Sequence, residues 1–318
     1  MIIGEYVISV AVFVGIWVTL ALSLNILTGY AGQVSMGHAA FFGIGAYASA
    51  ILSLKYGFPF WADFLGAIVV TGLVGMVLGL PSLRVRHDFL VLSTMGSNFV
   101  VVAVFKYVDF FGGAMGLINI PAPRIFGYSF RGGTPYLLLV WAFALFTCLV
   151  SWYVSKTWTG LAFHTLRIDE DAAAAVGVSV PRFKIYAFCI SAALAGGAGS
   201  LYGHFLGSVF PDTFAFVESI TILSMVIFGG VGTLRGPILG AIILKAAPEL
   251  LRFVQSYRFT LYGALLVLMM LFQPMGLLGN DSFLWRNLTR IFRRRATEER
   301  CPEPFDCAQD APVEGEPS

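Results

Sequence analysis

The sequence predicts an all-α polytopic membrane protein with about nine transmembrane helices, between eight and ten, and with broken glycine-rich segments among them. Two observations carry this. Of 318 residues, 58% are hydrophobic and only 12% charged, against about 25% charged in a soluble domain. The 49 residues from Tyr6 to Leu54 include no Lys, Arg, Asp or Glu. A chain so poor in charge lacks the polar surface to cover itself in water, and lipid is the simpler solvent.

A span needs roughly 20 apolar residues. Segments 6–27, 34–54, 61–80, 88–108, 136–155, 183–205, 216–234, 237–254 and 258–276 meet that need. The first reads as a membrane helix and not as a cleaved signal, because no basic leader precedes it and it runs on past Leu27. Segment 34–54 is open to being bent or re-entrant. Segment 237–254, which holds Lys245, Pro248, Glu249 and Arg252, is open to being tilted or interfacial. Arg290, Arg293, Arg294 and Arg295 follow the last segment and set the C-terminus in the cytoplasm. Counting back puts 156–182, Arg84 and Arg86 on the same side and the N-terminus outside. Arg124 and Arg131, on the external segment, weigh against this count without reversing it.

Residues 1–280 thus form the membrane domain. Residues 281–318 form a cytoplasmic tail, basic and then acidic and proline-rich, whose end (CPEPFDCAQDAPVEGEPS) is too polar to build a core and is expected to be disordered. Cys148 and Cys189 lie in apolar segments as packing residues.

Small residues four apart (Gly75 and Gly79; Gly199, Gly203 and Gly207; Gly236 and Gly240) predict flat helix faces where a neighbour packs closely. The stretch GYAGQVSMGHAAFFGIGAY (29–47) is different, because its glycines are interleaved with Gln33, Ser35 and His38. A broken helix exposes backbone groups that survive only where protein or a wet cavity covers them, and such breaks often build solute sites. A second break, FGGVGTLRGPILG (228–240), lies in the latter half. The pair suggests a translocation path lined by Gly32, Gln33, Ser35, Gly37, His38, Gly229, Gly230 and Gly232. Loops or close-packing stretches remain the alternative.

The loop TGLAFHTLRIDEDAAAAVGVSVPRFK (159–184) sets Arg167, Asp169, Glu170 and Asp171 before an alanine run and closes on Gly177 and Pro181. Alanines favour helix, acids favour its N-terminus, and Gly177 is a stop signal. Composition leaves open whether this short charged helix is a solvated connector or docks on a soluble partner.

The four histidines have no metal-ligand spacing, and no glycine-rich stretch ends in Gly-Lys-Ser/Thr, so the chain reads as a transport subunit and not an enzyme, with no metal and no cofactor. Gradient-driven carriers place carboxylates inside the membrane. Glu218 and Glu249 are the expected candidates, and both fall near span ends.

Several pieces together resemble a known family. LNILTGYAGQVSMGHAAFFGIGAY (24–47), RVRHDFLVLST (84–94), FHTLRIDEDAAAAVGVSVPRFKIYAFCISAALAGGAGSLYGH (163–204), VIFGGVGTLRGPILGA (226–241) and YGALLVLMMLFQPMGLLG (262–279) are similar, in order and spacing, to the LivM-like permease subunits of branched-chain amino-acid ABC transporters. The resemblance implies a bacterial inner-membrane subunit that imports leucine, isoleucine or valine by alternating access. Its implied partners are a homologous permease subunit, two cytoplasmic ATPase subunits that use the ATP, and an extracytoplasmic amino-acid-binding protein; nucleic acid is not among them. It implies that 160–177 is a coupling helix seated on an ATPase, through Gly160, Arg167, Glu170, Ala173 and Gly177. Urea or a short amide is the alternative cargo, and an ion-gradient-driven carrier the alternative mechanism. At Arg86-His87-Asp88-Phe89 the chain departs from the family's usual Arg-Gly, putting a titratable ring where a glycine would stand.

Overall fold

The computed structural model describes residues 2–83, 87–125, 128–129 and 133–250. The expected span 258–276, the tail from 281, Arg84 and Arg86 lie outside them, as does the His87 side chain.

The first apolar run forms α1 (Ile2–Leu24) and continues as a π-helical turn, Asn25–Tyr30. An irregular stretch, 31–37, leads into α2 (His38–Tyr56), and α3 (Phe60–Gly79) and α4 (His87–Tyr107) follow. The connection to α5 (Gly133–Lys156) carries the two-residue strands β1 (Leu117–Ile118), β2 (Arg124–Ile125) and β3 (Tyr128–Ser129). Then come α6 (Trp158–Ile168), α7 (Glu170–Ala175), α8 (Val180–Leu206), β4 (Ser208–Val209), α9 (Phe216–Gly229) and α10 (Arg235–Leu250). The strands form only local ribbons: β1 pairs antiparallel with β4, Leu117 opposite Val209, and β2 with β3.

Among the described residues seven helical segments are long and apolar enough to cross a membrane: Glu5–Tyr30, His38–Tyr56, Phe60–Gly79, Phe89–Tyr107, Gly133–Lys156, Val180–Leu206 and Pro211–Gly229. Segment 34–54 resolves into a 19-residue helix that begins only at His38, the residues before it being the break.

The core is the α2–α8–α3 layer backed by α1. Here the glycine spacing has its consequence. On α3, which runs antiparallel to α8, Gly75 faces Ala192 and Gly79 faces Phe188. Across the other seam Gly45 lies against the backbone of Gly196, and Gly199 against the carbonyl of Phe42 and the amide of Ala46. Helix backbones come this close only where side chains are missing, and dispersion then holds them together in a solvent as apolar as themselves.

Two polar findings revise the sequence reading. Asp63, in the first turn of α3, is fully buried, so Glu218 is joined by a second acid inside the bundle. Glu218 at the start of α9 lies 3.9 Å from the ammonium of Lys245 on α10, and that ammonium also sits 3.7 Å from the Trp17 ring centre. The acid is balanced within the bundle.

Candidate functional site: the junction of two helix breaks

At a break inside a membrane every freed backbone group needs a partner. The first break finds its partners across the bundle. The amide of Gln33 donates to the Leu27 carbonyl at 3.0 Å. The amides of the break and of the first turn of α2 have no intrahelical acceptor, and side chains of distant helices supply one. Met36 N–H donates to Thr94 Oγ1 on α4 (3.1 Å) and Ala39 N–H to Ser219 Oγ on α9 (3.0 Å). Ser35 Oγ accepts from the Gly37 amide (3.3 Å). Gly37 has no room for a side chain, since a Cβ there would overlap the Thr94 carbonyl. His38 is fully buried, its Nε2 2.7 Å from Ser23 Oγ, while the Ser23 carbonyl accepts from Ser191 Oγ at 2.7 Å. Gln33 is buried with neither amide atom hydrogen-bonded among the described residues.

The second break, between α9 and α10, turns at Gly230 and Gly232, both in conformations open to glycine (φ +123° and +82°). Gly229 packs on the backbone of Gly236. Asn25, in the π-turn, reaches across to this turn. Its Oδ1 accepts from Gly232 N–H (2.9 Å) and its Nδ2 donates to the Thr233 carbonyl (2.9 Å). One side-chain amide thus stands in for a backbone pair and stitches the two breaks together.

The loop completes the junction. Asp169 caps α7 by accepting from the amides of Asp171 (2.8 Å) and Ala172 (3.2 Å). The chain turns there, so the loop is two helices, α6 and α7, where the sequence suggested one. Gly177 ends α7 at φ +87°, with Val178 N–H returning to Ala173 O and Gly177 N–H to Ala174 O. Gly160 lies against the carbonyls of the last turn of α5. Arg167, in the last turn of α6, donates to the Gly29 carbonyl at 2.7 Å. Its stem packs where a Gly32 side chain would stand, and its guanidinium borders Gly232. Glu170 pairs with the nearly buried Lys184 of α8 at 2.6 Å, and Ala173 is buried.

Of the residues singled out in the loop, then, Arg167, Glu170 and Ala173 face the membrane domain. The outward surface of α7 is Asp171, Ala172, Ala174, Ala175 and Val176. A cavity of about 600 Å³ opens between α5, α6 and the π-turn, bordered by Gly29, Tyr30, Lys156, His164, Arg167 and Gly232. The residues assigned to a path and those assigned to a coupling loop therefore meet at Gly29, Gly32, Gly232 and Arg167. Sequence reasoning missed Ser23, Asn25, Thr94, Ser191 and Ser219. Asn25 had one signal, an amide inside a charge-free run.

Residues 6–273 match the family described as the branched-chain amino acid transport system permease component. The chain belongs to that family. Among its permeases, the high-affinity branched-chain amino acid transport system permease protein LivM of Salmonella typhimurium is 34% identical over 295 residues, 85% of this chain and 69% of its own length. LivM of Escherichia coli K12 aligns with the same identity and coverage. The LivH permease protein of Salmonella typhimurium is 24% identical over 82% of this chain and 90% of its own. No solved structure matches. Family membership and the seven apolar helices together make the chain a multi-pass membrane permease subunit.

Proposed function

We propose that this chain is the membrane-spanning subunit of an ATP-driven importer of leucine, isoleucine and valine in the bacterial inner membrane, with its C-terminus cytoplasmic and its N-terminus outside. It works beside a homologous permease subunit, two cytoplasmic ATPases that bind and hydrolyse the ATP, and an extracytoplasmic binding protein that delivers the solute. The cargo and the assembly rest on the relatives' printed roles in branched-chain amino acid transport.

The observation that carries the mechanism is the hydrogen bond from Arg167 to the Gly29 carbonyl. In this reading an ATPase seats on the outward face of α7. Closure of the ATPases pushes α6 and α7 as a unit, because Asp169 caps one and ends the other. Arg167 passes the push to the π-turn, Asn25 shares it with the 230–233 turn, and the two breaks shift together. The path opens outward for the binding protein's solute and reverts after hydrolysis. The permease makes no covalent bond and acts as a gate. The Glu218–Lys245 pair weakens Glu218 as the relay of a gradient-driven carrier, since its charge is already balanced.

The test is assembly and cargo. The chain, its companion permease, the ATPases and the binding protein are reconstituted in proteoliposomes, and labelled leucine, valine, alanine and urea are offered with and without ATP. ATP-dependent leucine and valine uptake is expected. Urea uptake alone would overturn the cargo, and ATP-independent uptake the mechanism.

A further inference from the structure

Helix α4 is the least buried of the seven spans found among the described residues. Only 22% of its apolar window is buried, against 67% for α2 and α8. It barely touches α3, its neighbour in sequence, and packs instead on α2, the outer-end turns and, lightly, α9. Between α3 and α4 lies an apolar groove of about 460 Å³, walled by Val70, Val74, Val100 and Val104 and floored by Ile44 and Ala48 of α2. So α4 rests against the first break on one side and is parted from α3 by this groove on the other.

The face that α4 turns inward is a stripe at helical spacing: Leu90, Thr94, Asn98 and Phe105 are its buried residues. Thr94 holds the Met36 amide at the break. Phe105 stacks on Tyr47 of α2 with ring centres 4.1 Å apart. Asn98 lies between these two fixed points. It is fully buried, and neither its Nδ2 nor its Oδ1 is hydrogen-bonded among the described residues. A carboxamide with both ends unmatched is a costly side chain at membrane depth. A polar group retained there makes sense if another state of the helix gives it a partner.

We infer that Asn98 lines the solute path, and that α4 is the helix whose tilt exposes it. Thr94 is the pivot, and the groove toward α3 is the space into which α4 moves. A carboxamide offers one donor edge and one acceptor edge, which fit the carboxylate and the ammonium of an amino acid together. Asn98 therefore contacts the zwitterionic head common to all α-amino acids and not the side chain that distinguishes them. The inference rests on the importer reading, and its test separates the two.

In the reconstituted complex, with Cys148, Cys189, Cys301 and Cys307 replaced by serine, Asn98→Cys is challenged with a membrane-impermeant thiol reagent, without ATP and after trapping with ATP and vanadate. Leu92→Cys, on the exposed side of α4 and away from the groove, is the lipid-facing control. Labelling of residue 98 in one of the two states, slowed by leucine and by valine alike, is expected, with residue 92 unlabelled. Asn98→Leu, and the smaller Asn98→Ala beside it, should each import leucine about tenfold more slowly in correctly inserted protein, a factor worth about 1.4 kcal/mol. Residue 98 unlabelled in both states, or Asn98→Leu importing at the wild-type rate, overturns the inference while leaving the importer intact. A wild-type complex that moves no leucine overturns the importer reading instead.

Discussion

Arg167 and Gly29 are 138 residues apart in sequence and 2.7 Å apart in space, guanidinium to carbonyl. That bond joins the last turn of α6 to the π-turn closing the first span. It turns a surface loop into a lever on the first helix break, and it orders what can be expected of the surrounding residues.

Asn25 is the second joint. Its amide satisfies one donor and one acceptor of the 232–233 turn. Asn25→Ala leaves both unmatched, and because Gly232 and Thr233 are only part-buried each costs less than the ~1–3 kcal/mol of a fully buried group. Thermal unfolding of the purified protein should fall by several degrees. Asn25→Asp, which sets a carboxylate oxygen against the Thr233 carbonyl at a fully buried position, should melt no higher than Asn25→Ala. Equal melting of all three would remove Asn25 from the account.

Glu170 braces α7 on α8. Lys184 is almost fully buried and Glu170 about a quarter exposed, so separating them costs less than the ~3–5 kcal/mol of a fully buried pair. Glu170→Arg places two cations together and should release α7, seen as loss of ATPase co-purification from correctly inserted protein. Adding Lys184→Glu should restore it. Restoration points to a brace. Failure of the double variant would mean that Glu170 touches the ATPase itself.

The α2–α8 seam admits no side chain at Gly199, which faces the Phe42 carbonyl and the Ala46 amide. Gly199→Val should push the helices apart and lower the yield of folded protein severely. Gly96, which has open space around it, should accept alanine without loss. Comparing the monodisperse fraction after extraction measures both.

Gly37→Val tests the seat of α4. The added side chain meets the Thr94 carbonyl, so α4 must shift while the rest of the fold stands. Leucine uptake should fall at least tenfold in inserted protein. Wild-type uptake would separate the first break from the path.

The two kinds of glycine differ in how plainly the sequence shows them. Gly75, Gly79, Gly199 and Gly203 repeat at one helical turn, and a repeat is visible without knowing the partner helix. The two breaks were visible because polar residues and glycines interrupt an oily run. What fills the breaks was not visible, because Thr94 and Ser219 look like ordinary span hydroxyls until the amides of Met36 and Ala39, far away in sequence, are laid beside them. Asp63 escaped notice because a carboxylate three residues into a span reads as a helix-end residue. The loop shows the same limit. Its charges and alanines announced a helix near Glu170, but no pattern in six residues says that Arg167 and Ala173 face inward while Ala174 and Ala175 face out.

The most direct measurement is coupling itself. In the reconstituted complex, ATP hydrolysed and leucine imported are measured together for wild type and for Arg167→Ala. The variant is expected to assemble and to hydrolyse ATP at a rate close to wild type while leucine import falls about tenfold or more, so that the ATP consumed per leucine rises. Import and hydrolysis both at wild-type levels would contradict this, because the bond between Arg167 and Gly29 would then carry no motion from the loop to the path.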